Sequence, residues 1–309
     1  MWTVRSDLFG VTLVLYDRTT FLKGLAMVRF LSVDLACAGF CLFAAAAAWG
    51  QQKTVRQDGV SLNYDTGMFS KVEIVEVKKE PLPNPHDRLN VHPANLLFLF
   101  YKDSQYTGSV KLYPLQDSSV KDLKAAYPEL PERMSALTRM LHDRPALPQR
   151  YPSGDPKEIP TIQNQMAGQY FLSHVRYLDF SWGSAVGFLV QYAQDASEYP
   201  VGSRLDYQIE GLTADGTIAV SAYFHVGHPD LPPTEKDGIV TDKTGEPIGE
   251  KAYMKYLRRM ATFLDSKSES TFQPPLGAIQ ALVGSLRFEN VEAADWGSKF
   301  SDKTILIEK

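Results

Sequence analysis

Three side chains in the second half of the chain have the types and spacing that could do chemistry. His225-Val226-Gly227-His228 is an H-x-x-H pair, and Asp206 falls directly opposite His225 if the two flanking strands pair as their turn suggests. A carboxylate against an imidazole can orient a general base, and two imidazoles with a carboxylate can hold a divalent metal. A metal site needs a third clear ligand, however, and His228-Pro229 begins a loop. A cross-strand Asp–His hydrogen bond on a polar sheet face is therefore the plainer reading. No catalytic, cofactor-binding or metal residue is assigned outright; Asp206, His225 and His228 are the candidates if a site exists.

Other motifs carry less. Ser118-Ser119-Val120-Lys121 matches S-x-x-K and Lys243-Thr244-Gly245 matches K-T-G, two signatures of penicillin-recognising serine enzymes. The S-D-N element is missing between them, and the second match reads as a polar turn where that chemistry needs a strand, so Ser118 is better explained as a helix cap. No G-x-S-x-G elbow, G-x-G-x-x-G loop, Walker sequence or H-E-x-x-H occurs. His174 and Arg176 could share the polar face or be covered by a helix with local partners. His86, His92 and His142 carry no signal. Tyr170, Tyr177, Tyr192, Tyr207 and Tyr223 could help a sheet face recognise a glycan or peptide, although half-buried strand tyrosines are the ordinary case.

These residues must be positioned by the stretch Gln169–Val226, which reads as four consecutive antiparallel strands because β-branched and aromatic runs alternate with turn residues. Asp215-Gly216 predicts a two-residue type I′ turn, which sets Tyr207 against Phe224 and Ile209 against Ala222. Leu205, Tyr207 and Ile209 then share an apolar face with Ile218, Val220, Ala222 and Phe224, while Asp206, Gln208 and Glu210 share a polar face with Ser221, Tyr223 and His225. The pair before it turns at Ser181-Trp182-Gly183, with a two- or a three-residue loop. Ala185–Ala193 avoids charge on both faces and belongs in the sheet interior.

Around this meander, Val60–Tyr64 and Val72–Val77 read as strands flanking a turn at Thr66-Gly67, and Asn95–Lys102 and Ser109–Leu115 read as a buried pair. A Pro-rich loop spans Pro81–Pro93. Helices are expected from Asp117 to Pro128, from Pro131 through Leu141, from Gly249 to Ser266, and after Pro274-Pro275. Strands, helices, strands and helices in segregated runs imply one α+β domain, an antiparallel sheet with helices packed on it.

At the other end, Met27-Val28-Arg29, the apolar run Phe30–Ala48 and the small residues up to Gly50 read as a secretory signal peptide over 27–50. Residues 1–26 read as an over-extended start and 51–309 as the single domain. Asp34 and the Ala-rich end favour cleavage over a retained anchor, so no stable membrane span is expected in the mature chain. Cys37 and Cys41 both lie in the apolar run, leaving the mature chain without disulfides, thiol nucleophiles or thiolate sites. The net charge of −4 carries no basic stripe and gives no reason to expect nucleic acid.

The opening GVSLNYD, the strand SVKLYPL, the central YLDFSWGSAVGFLVQYAQ, the strand TIAVSAYFHVGHPDLP and a last helix ending in SLRF together resemble a group of uncharacterised secreted bacterial proteins. Those in turn are similar in architecture to the lumenal PsbP-type α/β/α sandwich. The resemblance covers most of residues 59–288 and implies a binding or assembly factor. Taken with the signal segment, the expectation is a secreted or periplasmic non-catalytic protein whose partner is an unknown envelope protein or glycan. The alternative is a small metal-dependent or general-base hydrolase centred on Asp206, His225 and His228.

Overall fold

Turn chemistry decides how the strands meet. The computed structural model describes residues 2–5, 12–15, 50–78, 94–116, 130–146, 158–162, 167–193, 199–233, 239–241, 248–291, 296–300 and 303–307. Contacts divide the chain into Met1–Gly50 and Gln51–Lys309. The first unit contains one antiparallel hairpin, β1 (Trp2–Arg5) with β2 (Thr12–Leu15). The apolar run Phe30–Ala48, the Pro81–Pro93 loop and the expected helix from Asp117 lie outside the described residues. Among the described residues no helix is long and apolar enough to cross a membrane.

The second unit is α+β. Its main sheet has eight antiparallel strands: β5 (Lys71–Val77), β6 (Asn95–Lys102), β7 (Gln105–Pro114), β8 (Gly168–Phe180), β9 (Gly183–Ala193), β10 (Asp206–Thr213), β11 (Ile218–His225) and β13 (Lys303–Ile307). Their spatial order is β13-β5-β6-β7-β11-β10-β9-β8. The four-strand meander is therefore present, and β7 joins it to β6 and β5. A smaller sheet contains β3 (Gln52–Gln57), β4 (Val60–Asp65) and β12 (Arg287–Phe288) in the order β12-β4-β3. The turn at Thr66-Gly67 accordingly carries the chain from one sheet to the other and does not close a hairpin. β3 carries only Val55 as a buried side chain, too sparse a pattern to announce a strand.

The expected register holds, with Tyr207 opposite Phe224, Ile209 opposite Ala222 and Asp206 opposite His225. The turn that delivers it differs. Type I′ needs positive φ at both central residues, and of Asp215-Gly216 only Gly216 has it, at 68°. The turn closes instead between Gly216 N and Thr213 O, at 2.8 Å, and the Asp215 carboxylate accepts from Thr217 N and from the hydroxyls of Thr213 and Thr217. That side-chain bonding supplies what two left-handed residues would have. The two-left-handed pattern appears at Asp58-Gly59, where φ is 47° and 75° between β3 and β4. The β8–β9 loop is the two-residue one, Ser181-Trp182, with Phe180 opposite Gly183.

One face of the main sheet packs Tyr207, Ile209, Val220 and Phe224 under α2 (Glu250–Asp265) and α3 (Leu276–Gly284). Phe69, Phe100 and Phe224 meet there with ring centroids 4.9–5.8 Å apart. A short α4 (Trp296–Lys299) puts Trp296 in the same core. The other face is covered in part by α1 (Leu130–Asp143), whose Leu137 and Leu141 pack with Ile159, Ile162, Phe188 and Val190. Each such fully buried side chain contributes about 1.5–3 kcal/mol against an exposed one. Because of that second layer, the face expected to be polar is polar in residue type yet largely shut off from water: all eight residues of β10 are buried.

Candidate functional site

Register brings Asp206 and His225 together on the second sheet face. Asp206 Oδ1 lies 2.6 Å from His225 Nδ1, and Asp206 Oδ2 accepts from the Tyr223 hydroxyl at 2.5 Å. The Asp206 side chain is 7% exposed and the His225 side chain 50% exposed. A buried carboxylate thus aims a half-exposed imidazole outward. The hydrogen bond to Asp206 holds the His225 pKa above the ordinary imidazole value, against the opposing effect of burial. Burial first, and then the Asp206 charge, pushes the Tyr223 phenol up, so it stays a donor.

A row of rings extends from this pair across the sheet. The edges of Tyr223 and Tyr106 stand against His225 at 5.3 and 5.8 Å, and Tyr101 meets Tyr106 at 6.2 Å. The Tyr101 hydroxyl donates to Glu73 at 2.9 Å, and the Lys71 ammonium lies 5.1 Å over the Tyr101 ring while pairing with Glu73. Tyr106 is 41% exposed, a large aromatic left in water beside the half-exposed His225 on a sheet face that α1 covers in part.

In the other direction the same face carries a buried polar chain. Tyr192 OH donates to Gln208 Oε1 at 2.6 Å, and Gln208 Nε2 donates to Glu210 Oε1 at 2.6 Å. Ser221 Oγ donates to the same Glu210 oxygen at 2.7 Å, and Ile162 N reaches Oε2 at 3.4 Å. Glu210 is fully buried, and its pKa is raised to about 7 because burial outweighs those donors and the charge of Lys111. Burial lowers the Lys111 pKa in turn. Glu210 was visible only as one member of a polar face. Its burial could have been inferred from β9, which avoids charge on both faces and runs beside it.

The remaining candidates separate. His228 lies in the opposite layer, its Nε2 3.0 Å from Thr271 Oγ1 and its Nδ1 accepting from Asp230 N, with the ring edge-on to Phe272 at 4.8 Å. Burial holds its pKa below the ordinary value. The bridge between Gly227 and Gln273 turns the chain there and parts the two imidazoles of H-x-x-H. His174 and Arg176 take the second of their two expected arrangements: His174 sits at φ 49° in a β8 bulge with Nε2 2.6 Å from Leu264 O, and Arg176 pairs with Glu269. Tyr207 is core and accepts from Gln280 Nε2, Tyr170 stacks on Tyr253, and Tyr177 donates to Pro145 O. Ser118, Lys121 and Lys243-Thr244-Gly245 lie outside the described residues, as do His86 and His92. Among the described residues no three His, Cys, Asp or Glu are grouped to hold a metal ion.

Chemically, Asp206–His225 could deliver or remove a proton at the exposed Nε2. Among the described residues His225 hydrogen-bonds to Asp206 and to no serine or threonine hydroxyl, so the triad arrangement of nucleophile, base and orienter is not assembled there. The rings and carboxylates of the row suit recognition of a polar ligand with flat apolar faces. No family model matches the chain, and no curated protein matches it in sequence.

Proposed function

We propose that this is an exported envelope protein that binds a partner, protein or glycan, through the Tyr101–Tyr106–His225–Tyr223 row and does not catalyse a reaction. The observation that carries the reading is the half-exposed His225 locked by a buried Asp206 beside a 41%-exposed Tyr106: an ordered aromatic and polar surface open to solvent. The resemblance to secreted proteins of PsbP-type architecture supports the same class, and the signal-like segment at 27–50 supports export.

Affinity capture from the native envelope tests it, with wild-type chain and a Tyr106→Ala variant as paired baits. A defined protein or polysaccharide retained by wild type and lost by the variant is the expected result. Equal retention by both overturns the placement of the binding surface.

The 2.6 Å Asp206–His225 bond favours a second reading, a general-base hydrolase. Its test is hydrolysis of ester, amide and glycoside reporters by wild type but not by His225→Ala. Stoichiometric zinc in the purified chain, lost in the same variant, would favour the metal-dependent form.

A further inference from the structure

At the other end of β11 from His225, about 24 Å away at a strand rise of about 3.4 Å per residue, a groove of about 450 Å³ opens between the Ser181-Trp182 turn, the 213–217 turn and β12. Its apolar lining includes Trp182, Ile218, Phe288 and Val291. Trp182 is fixed in place, its indole N–H donating to Val283 O at 3.0 Å and its ring stacked on Phe180. Two charged side chains of opposite sign, Arg287 and Asp215, also line the groove.

Neither charge is neutralised by a described neighbour. Arg287 Nη1 donates to Ser181 Oγ, Gly284 O and Leu286 O at 2.9, 3.1 and 2.7 Å, all uncharged acceptors. A guanidinium has five donors, and Nε and Nη2 of Arg287 bond to no described residue. Asp215 takes hydrogen bonds from Thr213 and Thr217 on Oδ1 and one from its own backbone N–H, and it has no cationic partner among the described residues. The Thr213 hydroxyl and the Thr217 N–H hold the carboxyl below its ordinary pKa, so it is charged at neutral pH. The two groups line one groove without forming an ion pair, so a cation and an anion face a shared space with an apolar body between them.

We infer that this groove binds a short zwitterionic peptide, a dipeptide or tripeptide with free termini and apolar side chains. Its ammonium is received by Asp215, its carboxylate by the idle edge of Arg287, and its side chains by Trp182 and Phe288. Guanidinium and carboxylate match in a two-point fork, which makes the carboxylate end specific. Size agrees: a space of 450 Å³ is roughly 10 Å across if taken as a sphere, the reach of two to three extended residues at about 3.3–3.6 Å each. This site is independent of the His225 row.

Isothermal titration of the full chain with L-leucyl-L-leucine, its N-acetyl form and its C-terminal amide tests the assignment. Wild type is expected to bind the free dipeptide saturably and each blocked form at least tenfold more weakly. Asp215→Asn keeps the Oδ1 acceptor of the turn and should bind free and N-acetylated forms alike. Arg287→Gln should bind free and amidated forms alike. Thermal unfolding of each variant establishes that it is folded before its binding is read. Saturable binding by wild type to neither dileucine nor trialanine at millimolar concentration overturns the inference, as does discrimination that survives in both variants.

Discussion

Glu210 carries a proton that the unfolded chain would release. Its folded pKa is raised to about 7 from a model-peptide value of 4.5, so between those values the native state binds more protons than the unfolded one. Its stabilising contribution is complete below the lower value and is lost as pH rises through the upper one. Glu210→Gln should therefore flatten the decline in stability between pH 5 and pH 8. At pH 8 it should exceed wild type by about 1–3 kcal/mol, the cost of holding a charge in a buried place where desolvation outweighs its donors. Urea unfolding at the two pH values checks this, and identical pH slopes for the two proteins would contradict it. His225, raised by Asp206, works in the same direction, its contribution fading as pH climbs through its folded value. Asp206→Ala strands the part-buried Tyr223 hydroxyl and should cost about 1–3 kcal/mol by that same penalty, whereas His225→Ala removes a half-exposed ring and should cost less in the same denaturation assay. The Asp206–His225 pair was legible in the sequence because register is a statement about pairing. The fate of His228 was not, because three-residue spacing past the end of a strand says nothing about where the chain bends next.

Strand turns test the packing at the scale of elements. Gly183 sits where an added Cβ would meet Leu212 O at 2.0 Å, a backbone atom of β10 that cannot move aside. Gly183→Ala should therefore destabilise by about 1–3 kcal/mol, the range for overpacking, and loosen the β8–β9 end. Gly216 has open space around its Cβ position and a φ of 68°. Gly216→Ala should cost only the left-handed penalty of about 1–2 kcal/mol and leave the register intact. Guanidinium melts rank the two, and amide exchange of β8 and β9 distinguishes a loosened strand pair from a merely strained turn. Alternation along β10 and β11 revealed the meander, its pairing and which residues face together. It could not reveal that both faces are covered, because a strand whose hydrophilic side packs under a helix shows the same alternation as one whose hydrophilic side meets water.

For the molecule as a whole, segregation of strands and helices announced an α+β architecture, and the main sheet has that form. Missed were β3, with its single buried side chain, β12, which makes a strand of Arg287–Phe288 where the last helix was expected to end, and β13, a short run whose place depends on a strand met much earlier in the chain. The proposed export predicts that protein recovered from the cell envelope begins near Gln51. Mass spectrometry finding peptides from residues 1–26 in that fraction would count against the signal segment.

The position of β13 has a consequence for how the molecule is made. Lys303–Ile307 pairs with β5, so the final strand zips onto one of the earliest strands of the second unit. Contacts of such long sequence separation form late and slowly. A ribosome releasing this chain from its N-terminal end leaves the outer ladder of β5 bare until Lys303–Ile307 emerges. A product cut short before Lys303 keeps that ladder open, a template for stray strands and a seed for aggregates.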